Sequence, residues 1–131
     1  MKTTTITEDY VSLEIAKLLK ECGFNEECWE YYASNDNLRS FRITKCNYDN
    51  IPYKNAYIAP THQTVLKWLR EVYEECIIVY PIVTDDDGSA GCLWQCSILK
   101  LLKTQYKSAY AYELYEQACE TAIKYCLTNL I

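Results

Sequence analysis

The chain has 131 residues, half of them hydrophobic and 24% charged, and a net charge of −5. That length suits one domain able to bury roughly two-thirds of its unfolded surface, so residues 1–131 are expected to form a single ordered domain rather than a disordered chain. The acidic balance opposes a nucleic-acid backbone as the main partner, and the longest apolar run, 77–83, falls far short of the roughly 20 residues needed to cross a bilayer.

The first expected element is a helix capped by Ser12. Ile15, Leu18, Leu19 and Cys22 recur at i, i+3, i+4 and i+7 and form one apolar stripe, with Glu14, Lys17, Lys20 and Glu21 on the other face. Gly23 stands where a left-handed residue ends a helix, and Phe24 can fold back on the last turn. Two β-prone runs follow, residues 28–32 and 38–43, around the polar turn Asn35-Asp36-Asn37, and predict a hairpin. Residues 44–59 form a Tyr- and Asn-rich connection without a period.

A second helix starts at Ala59-Pro60-Thr61, with Pro60 just outside it or in its first turn. Val65, Leu66, Trp68, Leu69, Val72, Tyr73 and Cys76 make its wide apolar face; Lys67, Arg70, Glu71, Glu74 and Glu75 make the solvated one. Residues 77–83 and 92–99 read as strands around Asp85-Asp86-Asp87-Gly88-Ser89. Residues 101–110 either extend the second strand or form another. The last helix carries Leu114, Ala118, Cys119, Ala122, Ile123, Cys126, Leu127 and Leu130 on one face. The fold class is therefore α+β, three helices packed on an antiparallel sheet.

Residues 1–9 have no basic segment leading into an apolar run, so the chain is expected to stay in the cytoplasm where it is made. In that compartment its eight cysteines are expected to be reduced and to serve as small hydrophobes. Only Cys92 and Cys96 approach a zinc-knuckle spacing, and along a strand they stand roughly 13 Å apart. Asp85-Asp86-Asp87-Gly88-Ser89 lacks the glutamate that closes a calcium loop, since Cys96 occupies that place. No metal and no cofactor are expected.

His62 is the sole histidine, which removes every two-histidine metal site, and no spacing selects a cysteine to act with it as a nucleophile. The three glycines make no phosphate-cradling loop. The chain is accordingly expected not to be an enzyme. Tyrosine is its compositional excess, with thirteen residues. Tyrosine suits binding faces, and equally the half-buried edge of a core. The candidate ligand site combines Tyr48, Tyr53 and Tyr57 with Thr61 and His62 at the start of the second helix. Free N–H groups there would favour a small anionic ligand. An ordinary loop running into a capped helix accounts for the same residues. Lys100, Lys103 and Lys107 form a local basic cluster on an otherwise acidic chain.

Tyr10-Val11-Ser12, Ala16-Lys17-Leu18-Leu19-Lys20, Gly23-Phe24, Ala59-Pro60-Thr61, Lys67-Trp68-Leu69-Arg70-Glu71 and Tyr115-Glu116-Gln117-Ala118 together form a pattern that covers most of the chain. It resembles a group of small uncharacterised proteins from phages and prophages of gut Bacteroides-type bacteria. The shared motifs are caps and helix faces, with no catalytic signature. The resemblance implies a phage accessory protein in the host-cell cytoplasm that acts by binding. Such a protein inhibits a host protein or sequesters a nucleotide-type signal of antiviral defence. The alternatives are an oligomeric interaction module of a phage and a small enzyme.

Overall fold

The computed structural model describes residues 9–33, 37–83 and 92–131. Asn35 and Asp36 of the first polar turn, and all of the turn at 85–89, lie outside the described residues. Among the described residues the order is α1 (Leu13–Glu21), β1 (Glu30–Tyr32), β2 (Leu38–Ser40), β3 (Tyr57–Ile58), α2 (His62–Tyr73), β4 (Cys76–Val83), β5 (Cys92–Lys100), β6 (Lys103–Lys107) and α3 (Tyr115–Tyr125). A π-helical turn, Cys126–Leu130, continues α3.

The class is α+β, as the sequence predicts, but the strands form two antiparallel sheets rather than one. The first has the order β2-β1-β3 and the second β4-β5-β6. The local causes follow the sequence closely at both helix starts. Ser12 Oγ accepts from Ile15 N–H at 3.3 Å and caps α1. Gly23 holds φ +90, which lets Phe24 N–H reach Leu19 O at 2.9 Å and closes the helix. Thr61 Oγ1 accepts from Thr64 N–H at 3.2 Å and caps α2, leaving Pro60 outside the helix.

Three expectations need correction. The second run of the first hairpin, expected over 38–43, stops being a strand at Ser40: Phe41 stacks on Tyr31 at 4.4 Å, while Ile43 is exposed. The connection 44–59 supplies β3, which pairs with β1 through Tyr31 opposite Ile58. The second helix ends at Tyr73 because Glu74 turns to φ +61, so Cys76 opens β4 and Glu75 is buried rather than solvated. Residues 101–110 are settled as a two-residue turn and the separate strand β6. Pro81 sits within β4, where its missing donor is tolerated because β4 is the edge of its sheet.

One core joins these parts. Ile15 and Leu19 of α1, Val65, Trp68 and Leu69 of α2, Cys96 and Ile98 of β5, and Ala118, Ala122 and Ile123 of α3 are buried together. Phe24 meets Trp68 edge to face at 5.2 Å, and Tyr73 meets it likewise at 5.3 Å. Packing α3 against α1, α2 and β5 brings the first turn of α2 beside the middle of α3.

Candidate functional site

The segment before α1 runs antiparallel to the start of α2. Val11 N–H donates to Pro60 O at 3.0 Å and His62 N–H to Asp9 O at 2.9 Å, with Tyr10 opposite Thr61. This ribbon fixes the backbone of His62, whose side chain turns inward and is buried. From α3, Glu120 reaches the same point. His62 Nε2 donates to Glu120 Oε2 at 2.8 Å, across 58 residues of sequence. Ser12 N–H donates to the same oxygen at 3.3 Å.

Ser12 is the N-cap of α1, so Glu120 lies at the positive end of that helix. Burial pushes the Glu120 carboxyl up, but the hydrogen bonds from His62 and Ser12 and the attraction of the imidazole outweigh it and hold the group below its ordinary range. The bond to Glu120 places a proton on Nε2 of His62. Nδ1 is sealed from solvent and has no partner.

The pair lies in a groove of about 520 Å³. Asp9, Tyr10 and Ser12 form one wall and Tyr112 another; α3 contributes Glu116 and Glu120, which face the same way at i and i+4. Tyr112 is fixed by two backbone hydrogen bonds with Trp94, of 2.7 and 2.8 Å. Gln63 Nε2 donates to Tyr115 Oη at 2.9 Å and ties α2 to α3 on the same side. The groove thus joins aromatic side chains to three carboxylates, and hydrogen bonds hold Glu120 ionised.

The sequence-predicted residues do not share one location. His62 lines the groove, and Thr61 borders a smaller neighbouring cleft with Tyr10 and Lys45. Tyr48 Oη accepts from Ile58 N–H at 2.9 Å, supporting β3, and burial raises its hydroxyl to about 12. Tyr57 is half-buried beneath Lys17 and Lys20, whose ammonium groups lie 5.5 and 5.2 Å from its ring. Tyr53 stacks on Tyr31 of β1 at 5.2 Å, away from the groove. At the start of α2, two N–H groups are already committed, His62 to Asp9 O and Thr64 to Thr61 Oγ1.

Sequence reasoning missed Glu120, Glu116, Tyr10 and Tyr112. The available signal was the pair of glutamates at i and i+4 alongside the apolar stripe of α3, where a carboxylate beside buried positions needs a partner. Seven cysteines are unpaired among the described residues. Burial is the first cause raising the thiols of Cys28 and Cys126, each to about 12, and of Cys119, to about 11. Among the described residues no three His, Cys, Asp or Glu side chains converge as a metal shell requires. No described helix is long and apolar enough to cross a membrane. Comparison with protein-family models, curated proteins and solved structures finds no match to this chain.

Proposed function

We propose that the chain is a non-enzymatic binding protein, a phage accessory factor acting on a host protein, and that the groove beside Glu120 receives its partner. The observation that carries this reading is the state of the pair at its floor. Glu120 is held ionised by His62 and Ser12, and is the more exposed member of the pair, at 27% against 5%. A fixed carboxylate joined by Asp9 and Glu116 favours a cationic group, and the flanking tyrosines favour the apolar stem that carries it. The ligand chemistry is therefore a lysine- or arginine-bearing protein segment. Three carboxylates repel phosphate, which disfavours sequestration of a nucleotide signal in this groove.

The geometry also supports binding over catalysis. A general base must come within hydrogen-bond reach of the substrate proton. Nδ1 of His62 is sealed from solvent, and Nε2 is occupied by Glu120.

Titration with arginine amide, followed by ¹H–¹⁵N spectra, tests the reading. Shifts should concentrate at Asp9, His62, Tyr112, Glu116 and Glu120, and weaken strongly in Glu116→Gln. Shifts confined to Tyr48, Tyr53 and Tyr57 would place the site in the loop instead.

A further inference from the structure

The hairpin joining β5 to β6 reverses in two residues. Lys100 pairs with Lys103 across it, and the two residues between them, Leu101 and Leu102, hold φ of +50 and +66. Positive φ at both central positions defines a turn that normally takes Asn, Asp or Gly. Leucine is a poor residue there, because its Cβ crowds the backbone in the left-handed region. Contacts within the chain do not offset that cost, since Leu101 is 77% exposed and Leu102 97%. Two strained, adjacent, exposed apolar side chains at a hairpin tip are the mark of an element that meets something outside its own fold.

The tip is also basic. Lys103 stands immediately behind the leucines and Lys107 follows on β6, on a chain whose net charge is −5, while Lys100 lies 3.9 Å from the buried Glu75. A surface of opposite sign lies elsewhere on the same molecule. The groove beside Glu120 is open, flanked by Tyr10 and Tyr112, and lined by Asp9, Glu116 and Glu120.

We propose that the tip formed by Leu101 and Leu102 seats in this groove on a second copy of the chain, with Lys103 set against Glu116. The inference rests on the groove being a site for a basic segment with apolar stems, and it names one such segment. The two surfaces differ, so the contact is head-to-tail, and it leaves each pair with one open groove and one open tip from which assembly continues or closes into a ring. A hairpin tip buries less than the roughly 1,000 Å² of a stable interface, so association is weak and salt-dependent.

Sedimentation equilibrium from about 10 µM to about 1 mM protein, in low and high salt, tests this. In low salt the mass should rise above the monomer's 15.3 kDa with concentration. Leu102→Asp, Lys103→Glu and Glu116→Lys should each weaken association at least about tenfold, as loss of a buried contact or reversal of one charge pair predicts. Lys103 is exposed and Glu116 half-buried, and an unchanged thermal midpoint establishes that each variant folds. The decisive sample is an equimolar mixture of Lys103→Glu with Glu116→Lys. Each variant alone opposes like charges, whereas both contacts in the mixture pair opposite ones, so association should return.

A monomer at every concentration overturns the proposal, as does a mixture that stays dissociated. Tip-dependent sedimentation with phosphatidylserine-containing vesicles, by a protein that is monomeric without them, also overturns it and assigns the tip to a lipid surface. If the wild type is monomeric while arginine amide still shifts the groove residues, self-docking fails and the groove reading stands. If neither occurs, both fall.

Discussion

Glu120 accepts at a single oxygen from both His62 Nε2, at 2.8 Å, and Ser12 N–H, at 3.3 Å. One carboxylate of α3 therefore joins the start of α2 to the start of α1. Because these bonds hold Glu120 below its ordinary value of 4.5, the folded state binds a proton there less readily than the unfolded chain. The stabilisation is fully present above that ordinary value and is lost as pH falls through the lower folded one. Glu120→Gln should thus flatten the decline of stability from about pH 5 to about pH 3 relative to the wild type, as urea midpoints measured across that window report. Parallel curves for the two proteins would mean that Glu120 gains nothing from its partners.

Trp68 is buried between Phe24 and Tyr73, with edge-to-face contacts to both. Trp68→Ala removes both contacts and leaves a void that the ends of α1 and α2 cannot fill without moving. The expected cost is about 3–5 kcal/mol in a denaturant titration. A change below about 1 kcal/mol would show that the helices collapse onto the space.

The turn at Leu101 and Leu102 makes the opposite prediction. Leu101→Asn together with Leu102→Gly supplies the residues that the two positive φ values require. The double variant should gain about 1 kcal/mol, because the strain disappears and few contacts are lost from such exposed side chains. A lower midpoint would mean that the leucines pack within the monomer.

How far the sequence reveals this molecule follows from the range of each interaction. Ser12 and Thr61 cap helices through atoms three residues away, so local chemistry is enough to find them. The stripes that bury Ile15, Leu19, Val65 and Leu69 are legible for the same reason. β3 is not legible. Two residues carry no period, and Tyr57 and Ile58 become a strand only because β1 lies beside them. The candidate site divides along the same line. His62 is conspicuous as the sole histidine, but the partner that defines its chemistry is 58 residues away and is delivered by packing of α3. The tyrosines singled out with it go to different neighbours, because their hydroxyls and rings are used in holding β3 and the loop.

Burial of Cys28, Cys119 and Cys126 raises all three thiols, to about 12, 11 and 12. The thiolate is the nucleophile, so iodoacetamide at pH 8 should label these positions more slowly in the folded protein than in urea, by on the order of a hundredfold or more, following the ratio of thiolate fractions. Mass spectrometry of peptides after timed quenching reads each site. Labelling of Cys126 at the denatured rate would show that the end of α3 opens readily.

Glu75 supplies the last prediction, and it follows from the position at which α2 stops. Helical spacing assigns Glu75 to the solvated face, but the left-handed turn at Glu74 swings it inward, where it is 2% exposed. Its Oε1 lies 3.9 Å from Lys100 Nζ, and Oε2 has no partner. Cys126 lies near enough to sense it: burial raises that thiol most, Glu75 raises it further, and Lys100 acts against both. A carboxylate taken out of water for one long contact is poorly compensated. Glu75→Met, which keeps the length and removes the polar atoms, should therefore leave stability unchanged or raise it. Lys100→Met should do the reverse, costing about 1–3 kcal/mol, because it leaves the buried Glu75 side chain without a partner. Paired urea titrations of the two variants decide the matter, and a larger loss from Glu75→Met than from Lys100→Met would mean that Glu75 holds the junction of α2, β4 and α3 through bonds stronger than the one to Lys100.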